Sequence, residues 1–116
     1  MGHTDDWLAL TSEETLEPEV EICDPHHHLW DAGFDPAAKF RNEQVETRYL
    51  FHEMLAEVNS GHNVISTVFI ECGSMYRDDG PRCMKPVGET EFVNGIAAMS
   101  ASGQYGDCRI AAGIVG

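Results

Sequence analysis

Apolar positions along the chain fall into two kinds of pattern, and they alternate. Val20-Glu21-Ile22-Cys23 is a short apolar run that reads as a strand over about 20–24. Leu50, Phe51, Met54, Leu55 and Val58 then recur at helical spacing. They predict a helix from about 47 to 60 with one apolar face, closed by Ser60-Gly61. Val64 to Glu71 is nearly unbroken apolar and β-branched sequence, as suits a buried parallel strand. Phe92, Val93, Ile96 and Met99 mark a second helix over about 89–102. Glu89 and Glu91 favour its N-terminus, and Gly103 follows its end. A third strand runs from Cys108 to Val115. Strand, helix, strand, helix, strand implies an α/β fold with a parallel sheet and right-handed crossovers.

The gaps in this pattern are also informative. Residues 25–47 and 73–88 are rich in Gly, Pro and polar groups and read as long loops. Both follow strands, so they belong at the C-terminal edge of the sheet, where such folds place ligands. Residues 1–19 form an acidic extension, with Thr11-Ser12-Glu13-Glu14 fitting a capping box for a short helical turn before Pro18. Residues 20–116 make up the single domain that 116 residues allow. Three strands and two helices would leave sheet edges and helix faces uncovered. The chain therefore reads as the opening section of a (β/α)8 TIM barrel, truncated, since a complete one typically needs roughly 250 residues.

The chemistry is concentrated where the first strand ends, at Asp24-Pro25-His26-His27-His28-Leu29-Trp30-Asp31. In an extended chain, residues two apart share a face and lie about 7 Å apart at the backbone. His26 and His28 then point one way, Asp24 joins them, and His27 points the other way. Two imidazoles on one face can converge on a divalent metal. Such a metal lowers the pKa of bound water or polarises a carbonyl.

Charge narrows the field. Seven Lys and Arg against 20 Asp and Glu give a net charge of −13, with no basic stripe. That speaks against nucleic acid and against an anionic membrane surface. No apolar run approaches the length of a membrane span, and the N-terminus has no secretory pattern. None of the four cysteines (23, 72, 83 and 108) is spaced as a zinc knuckle. Cys23, Cys72 and Cys108 adjoin apolar runs and are expected to be buried free thiols, and a reducing cytoplasm is the expected location. A small molecule is the expected partner, with self-association into a homo-oligomer left open.

The run Asp24, His26, His28, Trp30 and Asp31 resembles the amidohydrolase-related branch of the amidohydrolase superfamily. These are metal-dependent hydrolases on (β/α)8 barrels, with lactonases and some decarboxylases among them. Arg48-Tyr49-Leu50, Ser60-Gly61-His62-Asn63-Val64, Thr67 to Cys72 and Pro86 to Val93 also look like that branch, so the likeness spans about residues 20–116. The resemblance implies that His26 and His28 bind zinc or manganese. It also implies hydrolysis of a lactone, ester or amide by the whole protein. A nonoxidative decarboxylase on the same scaffold, or a catalytically silent fragment, are the alternatives. Metal dependence is not uniform in the lactonase branch. The family's further ligands and its catalytic acid come from later strands, so the catalytic group is expected beyond residue 116, and the 116-residue chain by itself is expected to be inactive.

Other residues carry two readings each. Asp24 could orient a ligand histidine or cap a backbone amide at the strand end. Glu71 ends the second strand at the same rim as His26 and could contact metal or substrate, or be a surface carboxylate. Tyr76, Arg77, Arg82 and Lys85 could hold a substrate carboxylate, or be scattered loop charge. Trp30 is expected to pack and shape a pocket wall. His3, His52 and His62 are expected to be solvent-facing or capping residues.

Overall fold

The computed structural model describes residues 3–31 and 48–116. Its elements are α1 (His3–Ala9), β1 (Glu21–His27), β2 (Trp30–Asp31), β3 (Arg48–Tyr49), α2 (Phe51–Val58), β4 (Asn63–Ile70), α3 (Val87–Ala101) and β5 (Arg109–Val115). A 3₁₀ turn at Arg82–Met84 precedes α3. β1, β4 and β5 form a parallel sheet in that order, and β2 pairs with β3 in a separate antiparallel ribbon. The fold is mixed α/β, with sequential parallel strands joined through helices. Among the described residues the sheet is open, with β1 and β5 at its edges.

One core joins these elements. Phe51, Met54 and Val58 from α2 meet Phe69 of β4, Val93 and Ile96 of α3, and Ile110 and Ala111 of β5. The helical spacing read from the sequence is the spacing of these buried positions. Phe92 and Met99 pack against the cluster from its margin. Two polar residues of α3 are also buried, Glu89 and Ser100. Ser100 Oγ donates to Cys108 O at 2.8 Å and accepts from Ile110 N–H at 2.9 Å, which ties the end of α3 to the start of β5.

Several boundaries differ from those the sequence suggests. The helix of the N-terminal extension lies at His3–Ala9, not at Thr11. Thr11 Oγ1 donates back to Leu8 O, so its hydroxyl closes the end of α1 instead of opening a new helix. Arg48 and Tyr49 do not open α2; they form strand β3 against Trp30 and Asp31. Thr47, the expected first residue of that helix, lies outside the described residues, as do 32–46 of the first long loop. α2 starts at Phe51, where Glu53 Oε2 accepts the Leu50 N–H at 2.9 Å. That bond holds the Glu53 carboxyl below its ordinary range. Asn59 caps the other end, two residues before Gly61. α3 begins at Val87, two residues before Glu89.

β1 is longer than expected and carries Pro25 and two of the histidines within it. Proline lacks an N–H and is tolerated on edge strands and at bulges. The register with β4 shifts across it: Asp24 lies opposite Thr67 and His27 opposite Phe69. A further irregularity falls in β5, where Arg109 to Gly113 spans only Ser66 to Val68 of β4. The extra length is absorbed at Ala111, a non-glycine residue with φ of 54°. Its N–H donates to Thr67 Oγ1 at 2.8 Å.

Candidate metal centre

The parallel strands bring the ends of β1 and β4 to one edge of the sheet, and the candidate residues lie there. His26 and His28 project together, with Nε2 to Nε2 at 3.2 Å and ring centroids 4.9 Å apart in an edge-on arrangement. His26 is exposed and His28 half-buried. His28 Nδ1 lies 2.8 Å from Ile70 O. A carbonyl only accepts, so Nδ1 carries the proton and, in a neutral ring, Nε2 presents its lone pair. This is how metal-binding histidines are commonly held, with the second ring nitrogen donating to a backbone carbonyl.

The spacing suits a shared ion. With zinc–nitrogen bonds of about 2.0–2.1 Å, nitrogens 3.2 Å apart subtend roughly 100° at the metal, between octahedral and tetrahedral angles. The donor set is incomplete among the described residues, where no group of three His, Cys, Asp or Glu side chains is placed to hold a metal.

His27 points the other way and is buried. It packs edge-on against Phe69, and its Nε2 lies 2.9 Å from Thr67 Oγ1. Thr67, fully buried, thus links His27 on β1 to the bulged Ala111 amide on β5. Among the described residues, none makes a hydrogen bond to the buried His27 Nδ1. Burial pushes the His27 pKa down, so the neutral ring is favoured.

Asp24 does not share the histidine face by simple alternation, because the Pro25 bulge intervenes. Its Oδ1 accepts the backbone N–H of His26 at 3.1 Å. Glu71 stands exposed just past β4, and its backbone N–H donates to Val115 O. Tyr76 is exposed on the following loop. The basic residues of that loop are dispersed. Arg77 is paired with Glu91, Lys85 Nζ donates to Asp78 O, and Arg82 lies in the 3₁₀ turn. Trp30 stacks on Tyr49 with centroids 5.0 Å apart, which fixes the β2–β3 ribbon. His52 and His62 are exposed.

The expectation of buried thiols at Cys23, Cys72 and Cys108 fails. Cys23, Cys72 and Cys83 are exposed and Cys108 is half-buried. Cys23 lies on the edge strand, where among the described residues no further strand covers it. Cys72 is nevertheless engaged: Sγ lies 3.4 Å from Leu29 O and 3.6 Å from Glu89 Oε2. Partial burial, and then the Glu89 charge, push this thiol up.

Glu89 is the residue whose role sequence reasoning missed. It reads as a first-turn carboxylate that favours the helix N-terminus, with no expectation of burial, yet it is only 3% exposed. Its carboxylate accepts the N–H of Cys72 at 3.2 Å and of Ser74 at 2.6 Å. The available signal was the Pro86-Val87-Gly88-Glu89 sequence, in which a small residue precedes the acid. A Cβ on Gly88 would sit 2.5 Å from Met75 O and 2.7 Å from Arg77 N, so glycine lets α3 and the β4 loop approach closely.

A cavity lies at the opposite edge of the sheet, bordered by His62, Asn63, Asp107 and Cys108. The length of β4 separates it from the histidines, about 23 Å for eight residues. Among the described residues, no helix is long and apolar enough to cross a membrane. No protein-family model, curated protein or solved structure significantly matches the chain.

Proposed function

We propose that this chain carries the first two ligands of a divalent-metal site in an amidohydrolase-type hydrolase, built on the opening strands of a (β/α)8 barrel and acting on a lactone, ester or amide. The observation that carries the reading is the convergence of His26 Nε2 and His28 Nε2 to 3.2 Å, with His28 Nδ1 committed to Ile70 O. Zinc or manganese bound there would activate water and polarise the carbonyl under attack. The chain's own residues perform the preparatory work. Ile70 O sets the His28 tautomer, Asp24 braces the His26 amide, and His27 anchors the strand in the core through Thr67. Glu71 and Tyr76 stand at the same edge, exposed, where a substrate would approach.

Cobalt or zinc titration of the protein tests this. His26→Ala and His28→Ala should each remove most metal binding, while His27→Asn should leave the stoichiometry unchanged in the folded protein. Equal losses at all three positions, or unchanged binding without His28, would sink the proposal. A panel of lactones, esters and amides with metal added, and His28→Ala as control, extends the test to turnover wherever the remaining ligands are present.

A further inference from the structure

We propose that Glu89 is a positioning residue for the histidine pair, acting from α3 through the segment that follows β4. The role rests on the metal-site reading for its binding consequence alone. A carboxylate buried without partners costs several kcal/mol, roughly, so its partners show what holds it there. All the described partners of the Glu89 carboxylate belong to one stretch: Cys72 N–H, Ser74 N–H and Cys72 Sγ. That stretch is joined to the histidines twice. Ile70 O, two residues upstream of Cys72, accepts from His28 Nδ1. Cys72 Sγ lies 3.4 Å from the carbonyl of Leu29, the residue after His28.

The geometry has a mechanical consequence. The end of β4 is fixed on one side by Glu71 N–H donating to Val115 O at 2.9 Å. Glu89 fixes the next residues from the helix side. Between them the Ile70 carbonyl has one direction, and His28 takes the tautomer that direction imposes. The close seat of Gly88 against Met75 O and Arg77 N delivers Glu89 to this depth. A purely apolar residue could fill the same space but could not accept two amide N–H groups.

The decisive variant is Glu89→Gln. It keeps size and one acceptor oxygen but removes the charge. With that oxygen in the place of Oε2, its NH₂ faces the Cys72 N–H, itself a donor, which lies 3.4 Å from Oε1. Long-range ¹H–¹⁵N spectra of the metal-free protein read the His28 tautomer directly. The control is Ile96→Val, which trims the core away from this loop. Wild type and Ile96→Val should both show His28 protonated at Nδ1. Glu89→Gln should remain cooperatively folded, with the Nδ1–H form no longer dominant. Its zinc affinity should fall about tenfold, as is typical for loss of a partner behind a metal ligand.

A Glu89→Gln spectrum indistinguishable from that of Ile96→Val would overturn the proposal and leave Glu89 as a structural clasp. If Glu89→Gln does not fold, Glu89→Asp decides. It keeps the charge but draws the carboxylate back by one methylene from the Cys72 and Ser74 amides, and a smaller change at His28 in the same direction is expected. A wild-type His28 spectrum there would also overturn the role. The two readings fail separately. Wild type that binds no zinc, together with a His28 tautomer that depends on Glu89, removes the metal site and supports the positioning role.

Discussion

Thr67 holds three strands in place with one hydroxyl. It is fully buried, accepts from the Ala111 amide and meets His27 Nε2. Thr67→Val keeps the shape and removes the oxygen, which orphans a backbone N–H and an imidazole nitrogen together. Each orphaned buried group costs about 1–3 kcal/mol. Urea denaturation should therefore show a large drop in midpoint, with Thr67→Ser much closer to wild type. A neutral Thr67→Val would mean that the bulge at Ala111 relaxes to find another partner. Ala111 itself sits at positive φ, where a Cβ is disfavoured, so the strand accepts local strain to make this bond.

The helices are fixed at their N-termini by unlike devices, and each can be tested. Gly88→Ala in the first turn of α3 would normally favour a helix by up to about 1 kcal/mol. Here the added Cβ meets backbone atoms at 2.5 and 2.7 Å, which cannot rotate away as a side chain would. Overpacking of this kind costs about 1–3 kcal/mol, so the clash wins and the variant should be less stable. Equilibrium denaturation checks the sign. In α2, the Leu50 N–H keeps Glu53 ionised below its ordinary range. The unfolded chain then binds more protons than the folded one in acid, so stability rises with pH there. The contribution is complete above the unfolded pKa and is lost as pH falls through the lower folded value. Glu53→Gln should flatten this acid limb and cost about 0.3–1 kcal/mol at neutral pH. An unchanged acid limb in the variant would assign the dependence to other carboxylates.

At the scale of the molecule, the open sheet is the main liability. Among the described residues β1 and β5 each present an unpaired edge, and Val115 on β5 is half exposed. Edges of this kind pair with other chains. Sedimentation velocity on the 116-residue polypeptide should show concentration-dependent association, reduced by Val115→Lys. A clean monomer with a cooperative unfolding transition at every concentration would show that three strands and their helices suffice as a unit.

The sequence by itself determined the periodicities, and those determined the order of the elements. The apolar faces of α2 and α3, the position of β4 and the parallel arrangement were all legible, because burial of one face imposes a repeat on the residues that form it. The expectation that β4 is buried throughout fails, since only Thr67 and Phe69 are buried and Ile65 is exposed on an open sheet. The divergence of His27 from His26 and His28 was legible for the same reason. Alternation failed at Asp24, because Pro25 bulges the strand and its register is set by β4, where Asp24 lies opposite Thr67, far along the chain. It could not foresee strand pairing at Trp30–Asp31 and Arg48–Tyr49, which depends on segments distant in the chain. Nor could it show that Glu89 turns inward. A first-turn glutamate looks the same whether it faces water or two amides. Only the tertiary structure, by seating Gly88 against the β4 loop, decided which.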